Sequence, residues 1–305
     1  MRIVPCVLLL LSVAILPLAR AADSTSPTMP ATTRVAVEFD PADVPTTAGY
    51  HVVRLKLRID DKPVQFPCGI YLPADFFKAD AKLPVVIGLH NKVAIGTDQM
   101  HTLSDEALGY AMVHDTYDGR ASGKRPANPT WPSKGAPFVA LMPECPAGYL
   151  WESPVMAPVI GQLVERAIDR CHGDRDRIYL TGFSYGGSST WVIASELPDT
   201  FAAIAPIDGR ATTRPADTAA KLKRTAVYLV VGGADKDFLP EAQRMRDALS
   251  ALPHPNFVSR ILPGGNHFCY SMIYTDPLFW DWMLAQRRVP ADKVSPHLVP
   301  KKAAP

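Results

Sequence analysis

The feature that most constrains this chain is a rhythm of short apolar runs. Val85-Val86-Ile87-Gly88-Leu89 is the first, and residues 138–142, 178–181, 202–207, 227–231 and 258–262 follow. Runs this short, closed by turn residues, suit strands buried on both faces, as in a parallel sheet. Helical spacing fills the gaps. Residues 155–171 place Val159, Leu163, Ala167 and Ile168 near one face, 188–197 and 240–252 are similar, and 277–288 close the series. Strand alternating with helix implies right-handed crossovers and an α/β fold with a mostly parallel, doubly wound sheet. Ahead of it the period is two. Residues 34–39 alternate, and 51–59 put Val53, Leu55, Leu57 and Ile59 on one face. Asp60-Asp61 reads as a turn before 64–72, which gives an antiparallel N-terminal meander. Residues 107–114 have the makings of a helix, and 119–135 show no period.

The ends have a different character. Arg2 precedes an apolar run over 3–18, and Ala19-Arg20-Ala21 fits a small-x-small cleavage pattern. Residues 1–21 therefore read as a signal peptide, with an uncleaved anchor as the alternative for a run at the short end for a span. Residues 22–32 (ADSTSPTMPAT) read as a flexible linker, 33–290 as the folded domain and 291–305 as a polar tail. This predicts a secreted or periplasmic protein with no membrane segment after cleavage. Without Cys6, the cysteines are Cys68, Cys145, Cys171 and Cys269. Two disulfides and four buried thiols are both open readings. No pair has the spacing of a metal site, so none is expected. The net charge of +2 argues against a nucleic-acid partner.

Chemistry concentrates at Gly182-Phe183-Ser184-Tyr185-Gly186, a G-x-S-x-G sequence after one apolar run and before a helical stretch. In that context the serine sits on a sharp turn, and the flanking glycines avoid clashes. A serine hydroxyl needs a base within reach. His267, in Pro263-Gly264-Gly265-Asn266-His267, is the candidate, because it follows the last apolar run. The acid that orients it belongs after the preceding run, in Gly232-Gly233-Ala234-Asp235-Lys236-Asp237. Asp235 comes first after the glycines, and Asp237 is the second candidate. The backbone N–H of Tyr185 would stabilise an oxyanion at the helix start. A second donor should come from the turn after 85–89, at Asn91 or Lys92. This chemistry needs no cofactor.

The block Asp176-Arg177-Ile178-Tyr179-Leu180-Thr181-Gly182-Phe183-Ser184-Tyr185-Gly186-Gly187, the acid turn 232–235 and Phe279-Trp280-Asp281-Trp282-Met283 carry a resemblance. Over residues 64–288 the chain resembles the secreted α/β-hydrolases labelled predicted peptidases. These are related to feruloyl and acetylxylan esterases and to the phospholipase/carboxylesterase group. The resemblance implies the α/β-hydrolase fold and an esterase acting through an acyl-enzyme on Ser184. It implies small-molecule esters or acyl groups on polysaccharide as substrate. It also places His90 and Trp151 near the substrate pocket. The chain departs from the family where His-Gly and small residues usually follow the first parallel strand, since Asn91 and Lys92 stand there. Tyr185 replaces an apolar residue. A prolyl-oligopeptidase-like peptidase and a catalytically silent binding protein are the alternative functions.

Overall fold

A computed structural model describes residues 33–78, 81–96, 107–113, 135–254 and 256–289. The expected leader, linker and polar tail, and most of the aperiodic stretch 119–135, lie outside the described residues. Among those described, nine strands form one sheet. They are β1 (Val35–Glu38), β2 (Gly49–Ile59), β3 (Lys62–Leu72), β4 (Leu83–Leu89), β5 (Val139–Pro143), β6 (Gly173–Phe183), β7 (Ala203–Ile207), β8 (Ala226–Gly232) and β9 (Phe257–Leu262). Their spatial order is β1-β2-β3-β5-β4-β6-β7-β8-β9. The first three strands and the β3–β5 junction are antiparallel, and every pair from β5 to β9 is parallel. This is the α/β-hydrolase arrangement with the expected antiparallel meander in front.

Helices cover both faces. They are α1 (Ala107–Val113), α2 (Met156–Arg170), α3 (Tyr185–Glu196), α4 (Pro215–Lys221), α5 (Leu239–Ser250), α6 (Tyr270–Tyr274) and α7 (Pro277–Ala285). Val85, Ile87, Val227 and Leu229 pack on one side with Val159 and Leu163 of α2, Trp191 of α3 and Met245 of α5. Val86, Tyr228 and Val230 pack on the other with Leu108 of α1, Tyr274 of α6 and Phe279 of α7. Alternate side chains of each central strand thus enter opposite cores, which is why these strands are apolar without a break. Each fully buried Leu, Val or Ile contributes about 2 kcal/mol of transfer free energy.

All four described cysteines are free and buried. Burial pushes the Cys145 and Cys171 thiols up to about 12, and raises Cys68 further. Of the two cysteine readings, the structure takes the four buried thiols.

Candidate active site

β6 and α3 meet at Ser184, with no loop between them. Its backbone lies at φ 56° and ψ −113°, a region that non-glycine residues rarely adopt. The turn is held by Ser184 N–H donating to Ile207 O at 2.9 Å and Ser188 N–H donating to Ser184 O at 2.9 Å. Two glycines make the turn possible. A Cβ on Gly182 would stand 2.4 Å from Gly186 O, and one on Gly186 would stand 2.2 Å from Leu89 O. The helix begins at Tyr185 instead of Ser188 because the turn delivers the chain directly into helical geometry.

The parallel strands end on this same edge, and β8 and β9 bring two further side chains to the serine. His267 Nε2 lies 2.8 Å from Ser184 Oγ. Its Nδ1 lies 2.7 Å from Asp235 Oδ2. The other oxygen of Asp235 accepts the N–H groups of Asp237 and Phe238, both at 3.2 Å. Asp235 is buried, whereas Asp237 is exposed and offers only its backbone N–H. Phe183, Phe238 and Phe268 surround the imidazole, with ring centroids 5.1, 4.4 and 5.9 Å away. An imidazole bonded this way on both nitrogens can take a proton from the hydroxyl while the carboxylate holds its tautomer.

Tyr185 is the first residue of α3, so its N–H has no partner within the helix. Lys92 is likewise the first residue of a 3-10 turn, Lys92–Ala94, capped by Asn91, whose side chain accepts from Val93 N–H at 2.9 Å. The chain just before this turn passes close to Gly186, where an added Cβ would also stand 2.7 Å from His90 O.

The residues read as pocket-lining are placed elsewhere. Neither His90 nor Trp151 lines the cavity beside Ser184. Trp151 is fully buried and donates its indole N–H to His90 O at 3.3 Å. His90 is buried too. Its Nε2 accepts the Cys145 N–H at 2.8 Å, so Nδ1 carries the proton given to Asn91 O at 2.6 Å. Burial pulls its pKa down to about 4. A neutral, fully bonded imidazole and an indole tilted against it, ring centroids 5.1 Å apart, form the support under the 89–92 turn.

The cavity of about 860 Å³ opens from Ser184 and is lined by Lys92, Glu152, Tyr185, Arg210 and Phe238 among others. Tyr185 OH donates to Glu152 Oε2 at 2.5 Å, and burial raises the pKa of both. The Arg210 guanidinium stands 5.0 Å from the centroid of the Phe238 ring. Sequence reasoning missed Glu152, Arg210 and the buried Asp208. Their common signal was position: Asp208 and Arg210 follow the end of β7, and Glu152 follows Trp151.

Residues 76–268, more than half of the chain, match the model of the dienelactone hydrolase family. No curated protein matches the chain in sequence. Solved structures share its fold at low identity. A thermostable esterase is 20% identical with a TM-score of 0.61, over 78% of this chain and 63% of its own. The chain thus spans under two thirds of that esterase. A feruloyl esterase module from Clostridium thermocellum, complexed with sinapinate, is 16% identical with a TM-score of 0.50, over 84% and 96%. An acylaminoacyl peptidase from Pyrococcus horikoshii is 14% identical with a TM-score of 0.53, over 79% and 42%.

Proposed function

The chain belongs to the dienelactone hydrolase family, and from that premise we propose that it is a serine hydrolase of carboxylic esters. The observation that carries this reading is the imidazole of His267, bonded to Ser184 Oγ on one nitrogen and to Asp235 on the other. In the reaction, Ser184 Oγ attacks the ester carbonyl as His267 takes its proton. Asp235 stabilises the imidazolium that results. The negative charge on the tetrahedral oxygen falls to the N–H of Tyr185 and to the N–H of Lys92 or Asn91. His267 then protonates the departing alcohol, leaving an acyl group on Ser184. Water deprotonated by His267 attacks that acyl group and frees the acid.

The cavity supports a hydrophilic ester. Its walls carry Lys92, Glu152, Arg210 and several hydroxyls beside the rings of Phe238 and Tyr185 and the short apolar chains of Val192 and Ala211. Such a lining suits a hydroxyl-rich alcohol, such as an acylated polysaccharide, better than a long acyl chain. The apolar run at 3–18 supports export to the periplasm or beyond, where such polymers are met.

A fluorophosphonate probe tests the chemistry. It should label the wild type and fail to label Ser184→Ala. A wild type that takes no label would sink the proposal and favour a silent binding protein. Turnover of p-nitrophenyl acetate, methyl ferulate, acetylated xylan and a proline-containing peptide amide, compared side by side, tests the substrate. The amide should be the poorest of the four.

A further inference from the structure

One buried acid outside this group touches the loops that carry it. Asp208 follows β7 directly, is fully buried and lies at φ 46°. A non-glycine residue rarely adopts that backbone, so the surroundings must fix it. They do so through three loops. Ile207 O takes the N–H of Ser184 at 2.9 Å. Asp208 Oδ1 accepts the N–H of Gly232, which opens the turn to Asp235, at 2.8 Å. Asp208 Oδ2 accepts the thiol of Cys269, two residues past His267, at 2.7 Å. One side-chain atom from each of Asp208, Asp235 and His267 lies within 4.8 Å of the others.

We propose that Asp208 is a positioning residue that fastens the acid turn to the histidine loop and, through its charge, tunes how readily His267 accepts the serine proton. The proposal rests on the roles given above to Ser184, His267 and Asp235. The titratable groups facing Asp208 are Asp235 from the turn after β8, and His267 and Cys269 from the loop after β9. Burial, with a smaller contribution from the Asp235 charge, pushes Asp208 up to about 7. Burial and the neighbouring Asp208 hold the Cys269 thiol protonated, so it remains the donor. As pH rises through neutrality, the Asp208 proton leaves to solvent and a second negative charge appears beside the imidazole. That charge favours the imidazolium formed when His267 takes the serine proton. Asp235 orients the ring, and Asp208 adjusts it.

Asp208→Asn is the test, because the amide oxygen keeps an acceptor for Gly232 N–H while the titration is lost. The ring protons of His267 are followed by NMR against pH, beside kcat/KM on p-nitrophenyl acetate. In the variant the His267 titration should move about one pH unit lower, with the acid limb of kcat/KM moving alike. KM should stay within twofold, and kcat at neutral pH should fall by about tenfold. A folded variant whose His267 titrates where the wild type does overturns the proposal. If the variant does not fold, the wild-type curve decides: a second inflection near neutral pH supports it and a single-proton curve overturns it. The NMR result is independent of activity, so a wild type that ignores the fluorophosphonate fails the proposed function without touching this outcome.

Discussion

His90 and Asp208 end the two strands that flank β6, one on each side of the serine, and both are buried. Their roles diverge because their partners do. Both ring nitrogens of His90 are satisfied by backbone groups, of Asn91 and Cys145, and burial holds the ring neutral. It is a post under the turn that carries Lys92. The Asp208 carboxylate is held by the backbone of Gly232 and Cys269 and by the Cys269 thiol, with a second carboxylate, Asp235, close by. Its charge is free to change in the range where an enzyme works. A strand-end position brings a side chain to the site; the groups around it decide whether it supports or titrates.

Both sides of this comparison presuppose the serine between them. Ser184→Ala should lower kcat/KM by about 10⁵ with an unchanged melting temperature, measured on p-nitrophenyl acetate. On the acid side, Asp235→Asn should lower kcat by about 10³ to 10⁴, while exposed Asp237→Asn changes it less than twofold. Equal losses would mean that the wrong carboxylate has been assigned. On the support side, His90→Ala should cost about 3 kcal/mol in urea unfolding, because the Cys145 N–H and Asn91 O lose their partner inside the protein.

A pH-dependent effect of no greater size is the most diagnostic, since the two groups push stability in opposite directions with pH. His90 titrates at about 4 in the fold against an ordinary 6.5. The unfolded chain binds the extra proton between these values, so this contribution rises with pH and is lost as pH falls from 6.5 to 4. Asp208 titrates at about 7 against an ordinary 3.8. The folded chain binds the extra proton there, so its contribution is present at low pH and is lost as pH rises toward 7. Asp208→Asn removes only the second. Its stability relative to the wild type should therefore climb by up to roughly 3 kcal/mol between pH 4 and 7. A difference that stays flat with pH would show that Asp208 does not hold its proton in the fold.

The fold was legible wherever strands are buried on both sides. Val85–Leu89 and Val227–Val231 announce themselves because each residue enters one core or the other. The first half of β6, Gly-Asp-Arg-Asp-Arg, is polar, so the apolar run starts only at Ile178, yet the strand begins at Gly173. The short helices Pro215–Lys221 and Tyr270–Tyr274 span too few residues for a period to show. Glycines made the serine turn readable, since only that spacing lets backbone pass so near backbone. Asp208 left no such mark. A lone aspartate after an apolar run looks like any strand-end residue, and its neighbours arrive from 24 and 61 positions away. His90 and Trp151 were near the site in sequence terms, but only the packing reveals that they lie beneath it.

The unpaired thiols have a practical corollary. No covalent bridge joins distant parts of the described chain, so its native state can be reached without an oxidant. Refolding yield should be indifferent to dithiothreitol, and recombinant protein made inside a reducing cell should match material harvested outside one.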